Sequence, residues 1–285
     1  MDRHIRQVLS PAKINLFLYV TGRRPDGYHD LYSLMCCVDL YDTIHLHCRA
    51  PETTVTCSHP DVPEDSTNLA YQAAEKFFKA ANIHEGVAID IDKKIPVAGG
   101  LGGGSSNAAA VLMGLNQHYG RPLTSNQLSR IALTIGADVP FFLFAKPALA
   151  SGVGDQLKPF AGLPSKPVLL INPGYKVPTG HVYKNLNLRL TKDQKKLNRF
   201  EFKKEEFNIV SALGNDLESV TLKMHPGLTE IKKQLMRVGA EGALMSGSGP
   251  TLFGLFADSD TAHAAYEKMV DLFDRQVFLC NLLTA

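Results

Sequence analysis

The chain carries almost no net charge. Its 30 Lys and Arg side chains stand against 28 Asp and Glu, a formal charge of +2 over 285 residues, so no global field draws it to nucleic acid or to a membrane surface. Any anion it binds must be held by a local site. Long apolar runs are missing as well. The densest, Val139 to Ala145 and Leu252 to Ala257, fall far short of the roughly 20 residues that cross a bilayer. The first ten residues, Met1 to Ser10, lack the apolar stretch of a signal peptide, and a cytoplasmic location is the expectation. Cysteine is sparse: Cys36, Cys37, Cys48, Cys57 and Cys280 form an odd set with no CxxC spacing, which argues against a disulfide framework or a zinc site and predicts reduced thiols. What remains is ordinary. With 45% hydrophobic and 20% charged residues, wholesale disorder and a fibrous class are excluded, and the length has room for one large or two ordinary domains.

Apolar periodicity sketches the elements. Ala12, Ile14, Leu16, Leu18 and Val20 alternate with Lys13, Asn15, Phe17 and Tyr19, a strand that puts Lys13 and Asn15 on one face. A turn at Pro25, Asp26 and Gly27 leads to a more irregular β region through Ile44, Leu46 and Cys48 to Val55. Ser66, Thr67 and Asn68 announce a helix with Leu69, Ala73, Phe77 and Ala81 at i+4, and Val87, Ile89 and Ile91 form a strand. A helix is expected from about Ser106 to Tyr119, and Thr124 with Gln127 makes a capping box for another that stops at Gly136. Turn residues between Pro159 and Pro167 place a domain boundary there, dividing the chain into residues 1–160 and 161–285. Beyond it the order is a strand at Val168 to Ile171, helices near Thr179 to Leu186, Asn215 to Met224 and Gly227 to Val238, strands at Ala243 to Ser246 and Thr251 to Ala257, a helix from Asp260 to Phe273 and a strand at Gln276 to Leu282. With the helices counted as one block, this is the β-α-β-β-α-β order of ferredoxin-like domains, so the whole reads as α+β. The mixed-charge stretch from Leu190 to Glu206 reads as a solvated face or insert.

The most informative segment runs Pro96, Val97, Ala98, Gly99, Gly100, Leu101, Gly102, Gly103, Gly104, Ser105, Ser106 and opens into a small-residue helix. Glycines let backbone N–H groups converge, a helix start adds unpaired donors and partial positive charge, and hydroxyls can reach phosphate or Mg²⁺, so the segment can cradle a polyphosphate. The alternative is a flexible turn with tight helix packing. It is not a Walker A loop, because Ser105 stands where that motif needs Lys, and no glycine triple has GxGxxG spacing. A second glycine segment, Ser246 to Thr251, is either a plain hairpin connection or a second wall of a phosphate cleft.

Asp138, in Gly136-Ala-Asp-Val-Pro140, sits at an element end before an apolar segment, where it could take a proton from a hydroxyl or simply cap a short helix that Pro140 begins. Lys13 could lower the pKa of a nearby carboxylate or stabilise phosphoryl charge; a lone strand lysine could also be a rim residue. Tyr28, His29 and Tyr183 could offer stacking faces and a hydrogen-bonding edge to a nucleobase, or be packing residues.

Three segments together, Pro11 to Asn15, Pro96 to Ala109 and Ser246 to Thr251, resemble the three motifs of the GHMP small-molecule kinases. Ser10 to Leu16, Arg24-Pro-Asp-Gly-Tyr-His29, Gly100 to Ala108 and Gly136 to Phe141 resemble one branch of them, in which the glycine loop is longer than the usual GLGSS. The resemblance implies an N-terminal domain like the ribosomal protein S5 domain 2 fold, a ferredoxin-like C-terminal domain and an active site between them. It implies ATP- and Mg²⁺-dependent phosphorylation of the tertiary 2-hydroxyl of a cytidine diphosphate-linked methylerythritol. By position, Asp138 would be the base, with Lys13 as its partner near the hydroxyl and Asn15 alongside. Pro96 and the loop Gly99 to Ser106 would hold ATP. Tyr28 and Tyr183 would sandwich the cytosine, and His29 would bond its edge. No metal ligand is assigned. The expected partner is a small molecule, with no nucleic acid, no membrane and at most a weak homodimer. The alternatives are another GHMP kinase and a non-catalytic RNA-binding module on the S5-like fold.

Overall fold

A computed structural model describes residues 5–186, 207–273 and 276–284; the charged stretch at 190–206 lies outside them. The chain packs as two units whose segments interleave: residues 1–12, 40–97 and 102–145 in the first, residues 13–39, 98–101 and 146–285 in the second. Strands β1 (Ile5–Arg23) and β2 (His29–Ala50) each contribute to both. They are longer than the sequence suggests. Period-two burial is absent over Ala12 to Leu18, where both faces are covered, so the polar residues there are interior and not on a wet side.

In the first unit, β3 (Thr54–Cys57) runs parallel to β4 (Gly86–Asp92), which pairs antiparallel with β2 from Thr43↔Asp92 to Cys48↔Val87. The helices are α1 (Leu69–Ala81), α2 (Gly103–His118), α3 (Ser125–Leu133) and α4 (Val139–Phe144). The expected caps form: Asn68 accepts from the Ala70 N–H, and Thr124 and Gln127 make the capping box. α2 packs on α1 and α4. At Gly114 it comes so close to the sheet that a Cβ would meet Leu46 Cδ1 at 2.6 Å. It also begins three residues earlier than expected. Only its N-cap, Gly102 at φ 70°, needs the left-handed region, so Gly103 and Gly104 are free to form its first turn.

In the second unit, β7 (Pro167–Ile171), β9 (Gly242–Met245), β10 (Leu252–Leu255) and β11 (Val277–Leu283) form an antiparallel sheet in the order β11-β7-β10-β9. That order, with helices between β7 and β9 and between β10 and β11, is the ferredoxin-like arrangement. Its helices are α5 (Thr179–Lys184), α6 (Ile209–Ala212), α7 (Glu218–Met224), α8 (Gly227–Arg237) and α9 (Ser259–Phe273). Leu169, Ile171, Leu228, Leu235, Phe256, Ala265 and Met269 lie in one buried cluster. Three strands were not read from the sequence: β5 (Ala148–Gly152) with β6 (Gln156–Pro159), a hairpin on the first half of β2, and the two-residue β8 (Gly214–Asn215), which takes the place of the start of an expected helix. Residues 160–166 form neither helix nor strand.

All five cysteines are free thiols and four of them are buried. Burial pushes their ionisation up, Cys37 to about 12 and Cys48 to about 11, and the four buried thiols are packing groups. Among the described residues no helix is long and apolar enough to cross a membrane.

Candidate active site

The glycine segment passes from the second unit, at Gly99 to Leu101, into the first, at Gly102 to Ser106. In the first unit it becomes the start of α2, whose opening N–H groups have no intrahelical acceptor and present a partial positive charge. Gly104 is exposed and Ser105 half-exposed, so these donors face outward. Ser106 is buried, and its Oγ accepts from Ser10 Oγ at 2.8 Å. Asn107 Nδ2 donates to Ser10 Oγ and to Asp42 Oδ2, both at 2.9 Å. Asp42 is fully buried and also accepts from Lys93 Nζ at 2.6 Å and from the Lys94 and Ile95 N–H groups at 2.8 Å each. This buried carboxylate therefore ties the approach to the loop and the first turn of α2 together. Burial lowers the pKa of Lys93, and Asp42 opposes that shift. Pro96 is half-buried, and Leu101 is sealed in at 1% exposure, so Leu101 anchors the loop with its side chain and can offer a ligand only its backbone.

Asp138 occupies the N-cap position of α4 in a helical backbone conformation (φ −84°, ψ −14°), and its side chain makes no cap hydrogen bond. Capping therefore does not account for the acid. The turn that carries it lies against the glycine loop: a Cβ on Gly136 would stand 3.8 Å from Ser105 Oγ.

In the second unit, Lys13 and Asn15 are 4% and 3% exposed, which overturns a rim position for Lys13. Lys13 Nζ donates to Asn15 Oδ1 at 2.6 Å, Asn15 Nδ2 to Ser33 Oγ at 2.8 Å, and Ser33 Oγ to the Phe17 carbonyl at 2.6 Å. Such a relay fixes the ammonium in one place. Burying a charge costs several kcal/mol unless it is paired and bonded, and the Asn15 bond is part of what holds the ammonium there. The Lys13 N–H donates to the Leu101 carbonyl at 2.9 Å, joining this strand to the glycine segment.

Ser246 to Thr251 is indeed the connection between β9 and β10, closed by Ser246 N–H to Thr251 O at 2.9 Å. It also rests on the glycine segment, through Thr251 N–H to Gly99 O at 3.2 Å and Ser246 Oγ to Gly100 O at 3.0 Å. Gly100 lies at φ +78°, and a Cβ there would collide with the Ser246 carbonyl. Gly100→Ala is thus expected to lower the thermal midpoint by at least about 4 °C, since left-handed strain of about 1–2 kcal/mol adds to the collision. Gly104→Ala is the control. Its Cβ would meet only Leu69 Cδ1, at 3.6 Å, and scanning calorimetry should place it within about 2 °C of the wild type.

The His29 and Tyr183 rings stack with centroids 5.1 Å apart and planes 25° apart, while Tyr28 is 64% exposed on the turn beside them. Tyr183 thus meets His29 in this structure. Burial, with Arg23 adding, lowers the pKa of His29, so at neutral pH its ring is neutral and offers one donor and one acceptor.

Residues 68–146 match the family model of the GHMP kinases N terminal domain, and residues 201–275 that of the GHMP kinases C terminal. The 4-diphosphocytidyl-2-C-methyl-D-erythritol kinase of Syntrophotalea carbinolica is 49% identical over 92% of this chain and 93% of its own. The chain belongs to the GHMP kinases, in the 4-diphosphocytidyl-2-C-methyl-D-erythritol kinase family. A crystal structure of a 4-(cytidine 5'-diphospho)-2C-methyl-D-erythritol kinase superposes with a TM-score of 0.81 at 36% identity, covering 97% of this chain and 99% of that one. The fold extends further. A homoserine kinase from Cytophaga hutchinsonii has a TM-score of 0.77 at 19% identity, covering 99% of this chain and 94% of its own. The GHMP kinases are ATP-dependent small-molecule phosphotransferases, and a glycine loop on a helix start, a buried lysine and an uncapping carboxylate are parts that such chemistry can use.

Sequence reasoning singled out Lys13, Asn15, Asp138 and the loop as candidates. It gave no role to Ser10, Ser33, Asp42, Lys93 and Asn107, whose bonds support Asn15 and the first turn of α2. Ser10 and Asn107 lie within the motif segments without a role read for them, and Asp42 left a signal as a carboxylate between Leu40 and Ile44 in an otherwise apolar β stretch.

Proposed function

We propose that this kinase transfers the γ-phosphoryl group of ATP to the 2-hydroxyl of 4-diphosphocytidyl-2-C-methyl-D-erythritol, giving the 2-phosphate and ADP, a step of the non-mevalonate route to isopentenyl diphosphate. The observation that carries the choice of alcohol is the match, over nearly the full length of both chains, to kinases of that name. The homoserine kinase likeness, at 19% identity, speaks for the fold alone. Asp138 accepts the hydroxyl proton as the oxygen attacks phosphorus. The bond between the γ-phosphorus and the bridging oxygen breaks, and ADP leaves with its electron pair. Lys13, held by Asn15, offsets charge near the reacting oxygen. Gly99 to Ser106 holds the phosphates through backbone N–H groups and hydroxyls, with Pro96 at its entrance. Tyr28, His29 and Tyr183 form the cytosine subsite, where the neutral imidazole matches a base edge that both donates and accepts.

Mg²⁺ would come to the site bound to the nucleotide. The described residues contain no group of three or more His, Cys, Asp or Glu that could hold a metal, and the donors at the loop are the Ser105 and Ser106 hydroxyls. That set suits an ion bound mainly through phosphate and water oxygens, where it would neutralise phosphate charge. The reading further includes a domain division at residue 160, a cytoplasmic location, no nucleic-acid partner, and a monomer or weak homodimer. The two family models fall on either side of residue 160.

The test is coupled ADP release across a panel of alcohols. Turnover with the cytidyl substrate should exceed that with mevalonate, homoserine and galactose by at least about 10³-fold, because buried polar groups left unpaired by a wrong substrate discriminate on that scale or above. Robust turnover of another alcohol, without response to the cytidyl compound, would refute the assignment.

A further inference from the structure

Gly214, Asn215 and Asp216 have no part in the roles above, yet they stand at a junction. Their backbone is stitched to β1: Gly214 pairs with Phe17 and Asn215 with Leu18 in parallel register. The Asp216 N–H donates to the Leu18 carbonyl at 3.0 Å, and its carboxylate accepts from the Val20 N–H at 2.8 Å. The approach is close enough that a Cβ on Gly214 would stand 2.5 Å from the Tyr19 hydroxyl oxygen. From this fixed base the Asn215 side chain reaches the connection between β9 and β10. Its Nδ2 donates to the carbonyls of Met245 at 2.8 Å and Gly247 at 2.7 Å, and its Oδ1 accepts from the Leu217 N–H at 2.9 Å. Both amide hydrogens and the amide oxygen are used. No other residue type of this length supplies two donors and one acceptor in a plane.

The connection that Asn215 grips is the one that supports the glycine segment at Gly99 and Gly100, and the next carbonyl, that of Leu101, accepts from the Lys13 N–H. The bonds therefore form a closed circuit: from β1 to Asn215, to the 246–251 connection, to Gly99 and Gly100, and back to β1 at Lys13. Gly247, one of the two carbonyls held by Asn215, faces the lysine; a Cβ there would lie 3.5 Å from Lys13 Nζ. Thr221 reinforces the same connection by donating from Oγ1 to the Ser248 carbonyl at 3.1 Å.

We infer that Asn215 is a positioning residue for phosphoryl transfer, setting the 246–251 connection against β1 and so placing the Gly99 to Leu101 backbone beside the Lys13 ammonium for a nucleoside triphosphate. The inference rests on the reading of the glycine segment as the nucleotide site. A glycine-rich backbone has wide conformational freedom, and reacting groups displaced by an ångström lose rate steeply, so a fixed support at this point matters for binding and turnover.

The experiment compares Asn215→Ala, Asn215→Asp and Thr221→Val with the wild type in three measurements: ATP affinity by calorimetric titration, steady-state turnover with the cytidyl alcohol, and the thermal midpoint. Loss of the two hydrogen bonds to the connection, with the third to Leu217, should weaken ATP binding by about tenfold and lower kcat by about as much in Asn215→Ala, with KM for the alcohol within about twofold. Asn215→Asp should lose more, because a carboxylate oxygen would face the Met245 and Gly247 carbonyls. Thr221→Val, which keeps the side-chain shape and trims one bond to the same connection, should weaken ATP binding by about threefold. ATP affinity and kcat within about twofold of wild type in Asn215→Ala and Thr221→Val, with only the thermal midpoint lowered, would show a merely structural residue and overturn the inference. If Asn215→Ala does not fold, Thr221→Val decides in the same way. A wild-type chain that binds ATP but ignores the cytidyl alcohol would refute the proposed substrate and leave the ATP comparison intact. An active wild type whose variants bind ATP normally would refute the inference alone.

Discussion

Asp138→Asn is expected to lower kcat by about 10²–10⁴-fold while moving KM for ATP and for the alcohol by only a few-fold, the range that a positioned general base contributes. The substitution keeps the size and shape of the side chain and removes its ability to take a proton. Asp138 holds the N-cap position of α4 without a side-chain cap bond, so its replacement forfeits none of the roughly 1 kcal/mol that a working cap provides. Kinetics and calorimetry on the same preparation therefore separate the two readings of this residue that the sequence leaves open. A base gives a large loss of kcat whatever the thermal midpoint does. A capping residue gives a lowered thermal midpoint at an unchanged kcat, and that result would withdraw Asp138 from the mechanism. Single-turnover quench measurements complete the test, since the loss must appear in the chemical step and not in ADP release.

The residues that touch ligands in this reading were legible because each breaks a local pattern. Lys13 and Asn15 interrupt an apolar strand, five glycines crowd the six positions from Gly99 to Gly104, and Asp138 precedes Val139 and Pro140. The ferredoxin-like order was legible for a related reason: its helices and strands are long and periodic enough to declare themselves, and β11-β7-β10-β9 follows from their sequence. What stayed hidden is held by partners far apart in the chain. β8 is two residues long and exists because β1 lies beside it, so the tract from Asn215 to Met224 reads as one helix from the sequence. The hairpin β5-β6 carries Ser151, Gly152 and Gly154 and no strong alternation, and it is a hairpin because β2 offers an edge at Leu31 to Met35. The helix start at Gly103 was misplaced because glycine was weighed as a breaker. The neighbours explain the residue better: a Cβ at Gly103 would meet Lys93 Nζ at 2.9 Å, so a side chain there would have to displace the end of that lysine.

That lysine leads to the largest expected effect on stability. Asp42→Asn should lower the unfolding free energy by about 3–5 kcal/mol, the usual result of removing one partner from a buried ion pair. The geometry says why an amide cannot substitute. Asp42 Oδ1 accepts the Lys94 and Ile95 N–H groups, and an amide oxygen there could still do so. Oδ2 faces Lys93 Nζ and Asn107 Nδ2, both donors, and an amide nitrogen at that place would set donor against donor. Lys93, whose side chain is 3% exposed, would lose the carboxylate that opposes its desolvation and keep the Ile95 carbonyl as the acceptor remaining from this set. The reverse change should be milder. In Lys93→Met the carboxylate retains three donors, from Lys94, Ile95 and Asn107, so a buried anion stays bonded. The double variant Asp42→Asn/Lys93→Met removes the stranded ammonium, and urea unfolding should show it more stable than Asp42→Asn alone, with a coupling of about 0.5–3 kcal/mol. Additivity within about 0.5 kcal/mol would mean that the two groups do not sense each other, and the buried pair would lose its place as the support of the loop. A recovered double variant locates the support in the charge pair itself, which joins the approach at residues 93–95 to the first turn of α2 through Asn107, Ser10 and Ser106.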